Sequence, residues 1–424
     1  MLDKKIFMVT PSSLKYRLQS YFTNAEAEGF GSAVSLSSDG NTAIIGAPDS
    51  DRWAVNGGDT YLWSRNGSIW GQQYRFSRNG SSNEQFGYSV ALSEDATLAI
   101  VGAIGYVGNN IGGAGIFTTS NNVRTADFGA TALGTLAGDN AGYSVAISST
   151  GTTVAIGVPG DDKPSPGAIT NLGSVKVLQQ TSAGNPYNWS LQATLEPTGS
   201  AFTTSSYRQM GFSVAISSDG NTLVSGGPNS GQAGEAYVYT RTNSIWTLQT
   251  ILRPSDITLT EADTFGWSVS ISSDGNTIAI GAAGKDITTQ WNSLFERNAA
   301  DPTNEGAVYI YTRSGTTWTE EIKLISGDTT SYASSANFGY RVALSKNGTN
   351  LLVSAGWDYA NSAKGYVYVY TKSGSSWTQF DRISAYAPGL ITKQFGWSIA
   401  TSYDASTILI SSRDPYYCFV YTKI

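Results

Sequence analysis

The sequence predicts an all-β chain folded as one seven-bladed β-propeller of four-stranded antiparallel blades, and three observations predict it. First, one pattern returns seven times: FGSAVSLSSDGNTAIIGAP at Phe30, FGYSVALSEDATLAIVGA at Phe86, AGYSVAISSTGTTVAIGVP at Ala141, MGFSVAISSDGNTLVSGGP at Met210, FGWSVSISSDGNTIAIGAA at Phe265, FGYRVALSKNGTNLLVSAG at Phe338 and FGWSIATSYDASTILISSR at Phe395. Periods of this size mark repeat architectures. Second, 424 residues exceed what a single hydrophobic core normally serves, so the chain must divide or repeat a small unit. Third, only 14% of the residues are charged, while Gly, Ser, Thr, Asn and aromatics abound, a balance suited to short strands and tight turns.

Each unit reads as four strands. In the fifth, 267–272 alternates polar and apolar residues, Ser273-Asp274-Gly275-Asn276 signals a two-residue hairpin, and 277–282 is an apolar strand. The third strand is 307–312, Ser314-Gly315 its turn, and 318–324 the fourth; the same third-to-fourth pattern recurs at 236–252 and 366–383. The last unit ends after its third strand. The N-terminus carries the missing piece: Leu14-Lys-Tyr-Arg-Leu18, a polar loop and Phe30-Gly31 align with Gln73-Tyr-Arg-Phe76, a polar loop and Phe86-Gly87. Residues 1–29 are therefore expected to bring the strand that closes blade seven, and 30–424 the repeats. Closure removes two open sheet edges that would invite aggregation.

The Phe-Gly opening and the Gly-Ala-Pro at Gly46 to Pro48, weaker at Gly157-Val-Pro159 and Gly227-Pro228, resemble the FG-GAP repeats of the integrin α-subunit propeller and its bacterial and viral relatives. The resemblance covers almost the whole chain and implies the propeller fold. It implies adhesion, recognition or scaffolding without choosing among them. The motif glycines at 31, 87, 142, 211, 266, 339 and 396 suit close backbone approach. The aromatics after them, Tyr88, Tyr143, Phe212, Trp267, Tyr340 and Trp397, suit packing between neighbouring blades, and Trp70, Trp189, Trp246, Trp318 and Trp377, which mark the fourth strand, are expected to wedge against the next blade. Integrin relatives bind calcium in Asp-x-Asp-x-Asp-Gly loops. The equivalent turns here, Ser38 to Asn41, Ser218 to Asn221 and Ser273 to Asn276, hold one carboxylate each, so neither calcium nor another metal is expected. Asp49-Ser-Asp51 and Asp161-Asp162 read as solvated loops.

Absence of histidine removes Ser-His-Asp and Cys-His catalysis and imidazole metal sites. The Asp-Gly turns lack the Gly and Trp spacing of a sialidase Asp-box, so no catalytic residue is assigned and no cofactor is expected. A net charge of −6 without Lys/Arg clusters argues against nucleic acid, and no apolar run of about 18 residues suggests membrane insertion. The start shows no secretory signal. Cys418, the single cysteine, sits in an apolar strand as an inert thiol, and Asn-x-Ser/Thr matches at Asn66, Asn79, Asn188 and Asn347 read as turns.

In such blades the first-to-second and third-to-fourth turns share one face, and here they are short. The opposite face takes every large insertion: 159–172, 284–305 and the connections 197–209 and 326–337. Variable loops on a rigid scaffold are where recognition sits. The candidate ligand-binding residues on that face are Trp53, Tyr106, Asp162, Asp286, Trp291, Phe295, Trp357 and Tyr359, with Asp51 and Asp358 beside them. Aromatics beside carboxylates suit carbohydrate or protein partners. The expected function is a non-enzymatic recognition or structural propeller, most simply on a virion, a phage capsid or tail, binding a host-surface glycan or protein or other virion proteins. A cellular adhesion or scaffold propeller is the alternative, and a glycan-active enzyme a remote one.

Overall fold

The second strand of each unit is apolar on both faces because both faces are covered: Thr153–Val158 is buried along its whole length, and Leu98–Ala103 and Thr222–Gly227 likewise. The computed structural model describes residues 15–24, 27–78, 82–106, 108–133, 135–162, 170–181, 187–198, 207–229, 233–256, 263–285, 305–326, 337–356, 365–385 and 393–424. These form seven sheets of four antiparallel strands, each in sequence order from the innermost strand outward. Blade one runs Ala33–Leu36, Thr42–Ala47, Asp59–Asn66, Ile69–Ser77, and blade five runs Phe265–Ile271, Thr277–Ala282, Ala307–Ser314, Thr317–Leu324. The exception to sequence order is the closing blade. There Ile399–Thr401, Thr407–Arg413 and Tyr416–Lys423 are completed by the N-terminal strand Tyr16–Thr23, as the sequence implies.

The apolar interior is a ring of clusters, each shared by two neighbouring blades. One joins Val224, Val238 and Leu252 of blade four to Phe265, Ile280 and Tyr309 of blade five, and another joins Phe30 and Ile45 of blade one to Leu409 and Val420 of blade seven. Both motif glycines serve these seams. Gly266 has φ +92°, and a Cβ on Gly226 would lie 1.9 Å from the Gly266 carbonyl oxygen. The glycine after Phe thus presses its backbone on the second-strand glycine of the preceding blade, where no side chain fits. The phenylalanine beside it is fully buried against the third strand, as Phe265 is on Tyr309 and Phe338 on Tyr368, with ring centroids 5.5 and 5.3 Å apart.

A polar clasp joins the rims. Every outermost strand carries a β-bulge at the same point, and at Gln19, Gln192, Gln249 and Glu321 the extra residue reaches the next blade. Gln192 Oε1 accepts from Trp246 Nε1 at 2.8 Å and Arg241 Nη1 at 3.1 Å. Gln249 Oε1 accepts from Trp318 Nε1 at 2.8 Å and Arg313 Nη1 at 3.5 Å. Gln19, on the closing strand, takes Arg65 and Trp70 in the same way. The arginine lies over its tryptophan in each case, 5.2 to 5.4 Å from the ring centroid, and these strand-leading tryptophans pack against the preceding blade, not the next one, because the bulge residue that accepts their indole N–H reaches forward from it. At the seam between blades six and seven the partners change. Asp381 Oδ2 accepts the amides of Lys15 and Tyr16, at 3.0 and 3.1 Å, and the buried Tyr16 hydroxyl donates to Ala405 O at 2.6 Å.

Gln249→Ala leaves Trp318 Nε1 without its acceptor, while Arg313 Nη1 keeps Thr222 Oγ1 at 3.3 Å, and is expected to cost about 1–3 kcal/mol. Gln73→Ala, at the equivalent bulge where the amide bonds only to Gly71 of its own strand, is expected to cost under about 0.5 kcal/mol. Urea unfolding of the two variants checks the difference.

Candidate functional site: the long-loop face and the axial mouth

The short-turn face is saturated by its own hydrogen bonds. The Asp-Gly turns are four-residue loops, which corrects the expected two-residue hairpin. Ser37 N donates to Thr42 O at 2.8 Å, but the return bond from Thr42 N goes to the Ser37 hydroxyl at 2.9 Å. Serines 93, 148, 217, 272, 345 and 402 repeat this arrangement in the other blades. The Asp39 carboxylate accepts from Ser37 Oγ at 2.5 Å and from the Asn41 amide and side chain, both at 2.9 Å. Burial pushes its pKa up, yet these bonds and Arg65 together hold it below the usual carboxylate range. Asn41 Oδ1 in turn accepts Arg65 Nε at 3.0 Å, so the turn positions the clasp arginine. Among the described residues no cluster of acidic or sulfur ligands is arranged to hold a metal ion.

Next to these turns a closed ring of backbone hydrogen bonds runs round the axis. The amides of Ser38, Glu94, Ser149, Ser218 and Ser273 donate to Glu94, Ser149, Ser218, Ser273 and Lys346 carbonyls, and Asn347 to Tyr403 and Tyr403 to Ser38 complete it, at 2.8 to 3.1 Å. The Glu94 carboxylate reaches across from blade two to Ser218 of blade four and to Lys346 Nζ of blade six, the latter at 3.4 Å. Behind this brace lies an axial cavity of about 150 Å³ walled by small and aliphatic side chains such as Ser35, Ala91, Ala215 and Ser270.

The other end of the axis, toward the long-loop face, is built from aromatics. The residues after the motif glycines meet edge to edge: Tyr88–Tyr143, Tyr143–Phe212, Phe212–Trp267, Trp267–Tyr340 and Tyr340–Trp397 have centroids 5.1, 4.8, 4.7, 6.0 and 5.4 Å apart. The packing expected of them is thus between neighbouring blades and at the axis itself. Ser32 of blade one leaves the arc open there. Two arginines belong to it: Arg341 lies 4.5 Å from the Tyr340 centroid with Nη1 donating to Tyr340 O at 3.1 Å, and the exposed Arg413 lies 4.6 Å from the Trp397 centroid. Neither arginine was singled out in the sequence, although Arg341 stands where five other units have serine after the aromatic, which was the available signal.

Of the sequence-derived candidates, Trp53 is 54% exposed on a loop between second and third strands, with Arg75 5.6 Å from its ring centroid. Its loop is held by Asp51, whose Oδ1 accepts the Asn56 amide at 2.7 Å. Tyr106 is half-buried, with Arg78 stacked 3.6 Å from its centroid and its ring against Gly113 and Gly129. Asp162 is exposed and its Oδ1 accepts the Asn171 amide at 2.6 Å. Asp286, Trp291, Phe295, Trp357 and Tyr359, with Asp358, lie outside the described residues. Cys418 is fully buried, which pushes its thiol pKa up.

One carboxylate on this face, Asp139, is shifted upward. Burial raises the Asp139 pKa, and the Asp161 and Asp162 charges add to this against the Leu136 amide and Lys176, leaving it at about 6. The folded value lies above the unfolded one, near 4, so ionising Asp139 costs folding free energy as pH rises from about 4 past 6. Asp139→Asn, which keeps an acceptor for Leu136, is expected to exceed the parent in thermal midpoint at pH 8 and to match it at pH 4. Calorimetry at the two pH values checks this.

The FG-GAP repeat family matches residues 70–117, 246–311 and 318–370, so the resemblance seen in the motifs is that of FG-GAP repeats. No curated protein matches the chain. Among solved structures, the β-propeller domain of Cps50 (Swd1) from Myceliophteria thermophila superposes with a TM-score of 0.60 at 8% identity, covering 96% of this chain and 100% of that one. That likeness shows the fold alone.

Proposed function

We propose that this FG-GAP-repeat propeller is a non-enzymatic recognition module whose long-loop face engages a glycan or protein on another surface. The observation that carries the reading is the contrast between the faces. The carboxylates and amides of the short turns are consumed by the clasp, while the opposite face presents Trp53 to solvent on a braced loop and gathers the variable loops. Exposed aromatics on a rigid scaffold supply contact area at little entropic cost, which suits binding. With no histidine in the chain, bond-breaking chemistry would rest on carboxylates alone, and among the described ones Asp139 and Asp161 serve loop and lysine contacts.

The setting we propose is a virus particle, with one face docked on neighbouring particle proteins and the long-loop face turned to the host. The Gly/Ser/Thr/Asn-rich, Trp- and Tyr-rich composition supports it. Mass spectrometry of purified particles should detect the protein; its presence only in a cell envelope fraction would move the same module to a cellular adhesion role.

Binding of the purified protein to a glycan array and to whole host cells tests the recognition reading. Trp53→Ala is expected to weaken binding about tenfold or more, with chelator having no effect, whereas Asp95→Asn on the short-turn face should leave it unchanged. Equal loss from both substitutions, or no binding to either target, would overturn it.

A further inference from the structure

The long-loop end of the axis is aromatic and carries two cations: Arg341, Arg413 and the Trp267 indole only donate, while the hydroxyls of Tyr88, Tyr143 and Tyr340 donate or accept. Trp267 Nε1 is buried without a hydrogen-bond partner. Arg341 and Arg413 lie 4.5 and 4.6 Å from the ring centroids of Tyr340 and Trp397, two rings whose centroids are themselves 5.4 Å apart. Among the described residues no carboxylate forms an ion pair with either arginine, although the chain as a whole is acidic. Two positive charges converging on a low-dielectric aromatic funnel concentrate potential there.

A fold-only explanation does not account for the arginines. At the Arg341 position Ser89, Ser144 and Ser213 bond the next blade's glycine carbonyl, at 2.7 to 2.8 Å. Serine therefore suffices to make the seam, and arginine adds a charge at the axis. Arg413, exposed over Trp397, makes no seam at all.

We infer that the long-loop end of the axis binds a carboxylate-bearing saccharide, its carboxylate taken by Arg341 and Arg413 and its apolar ring face laid on the Trp267 indole. A planar fork of donors matches a carboxylate, and flat aromatic walls match the C–H face of a sugar ring better than a flexible acidic side chain. This deepens the recognition reading and rests on it, because the same face would carry both contacts.

The test is titration calorimetry of the full chain with oligogalacturonate, with a neutral galactose oligomer of the same length, and with poly-L-glutamate. Oligogalacturonate should bind at least tenfold more tightly than either control, and more weakly as salt rises. Arg413→Gln, a surface change, and Arg341→Ser, which installs the residue of the other blades, should each weaken it at least tenfold. Asp95→Asn, on the short-turn face, should leave it unchanged. Absence of oligogalacturonate binding, indifference to both arginine variants, or equal binding of poly-L-glutamate would overturn the assignment. If it fails while Trp53→Ala still abolishes binding to cells or the array, the recognition reading stands and only the axial site falls.

Discussion

Ring closure is the constraint on which the rest depends. A four-stranded blade buries its apolar faces only against two neighbours, so seven blades have no stable end until the seventh meets the first. The chain meets this twice over. At the axis, seven inter-blade backbone hydrogen bonds run from Ser38 round to Tyr403 and back. At the rim, Tyr16–Thr23 pairs with Tyr416–Lys423 and carries Gln19, the bulge residue that clasps blade one. The closing strand is therefore no passive edge cover: its Tyr16 end is anchored on Asp381 of blade six and its Gln19 on Arg65 of blade one, so it bridges three blades.

Closure also divides the labour between the faces. The short turns hold the arginines of the rim clasps through asparagines such as Asn41, and their aspartates are engaged by the serine and asparagine of their own turn. Released from that duty, the opposite face can vary its loops without loosening the ring. Its axial end carries aromatics that seal the seams. The FG-GAP motif belongs to the seams as well, since its two glycines press on each other across blades, as Gly226 and Gly266 do.

Much of the fold was legible because the repeat is in register: strand order, blade number and the closing strand all follow from aligning Phe-Gly with Phe-Gly. The turns were read a size too small, because Ser37 and its six counterparts replace a backbone bond with a side-chain one and so hold a longer loop. The clasp was half visible. Arg65, Arg241 and Arg313 each precede Trp70, Trp246 and Trp318 by five residues, a spacing that places both on one hairpin. Their acceptor is a bulge residue of the preceding blade, and bulges leave no mark in a two-residue periodicity. The long-loop face follows from the lengths of the connections, whereas single residues do not: Trp53 lies exposed there, and Arg341 and Arg413 became visible only when the axis brought distant blades together.

The closure account is tested most directly by native-state hydrogen exchange resolved to the N-terminal strand and the axial amides. It predicts that the amides of Tyr16–Thr23 exchange with the same free energy as those of Tyr416–Lys423, and that the Ser38, Glu94, Ser149, Ser218, Ser273, Asn347 and Tyr403 amides share it. Exchange of the N-terminal strand at the rate of a free peptide, while the axial amides stay protected, would contradict it.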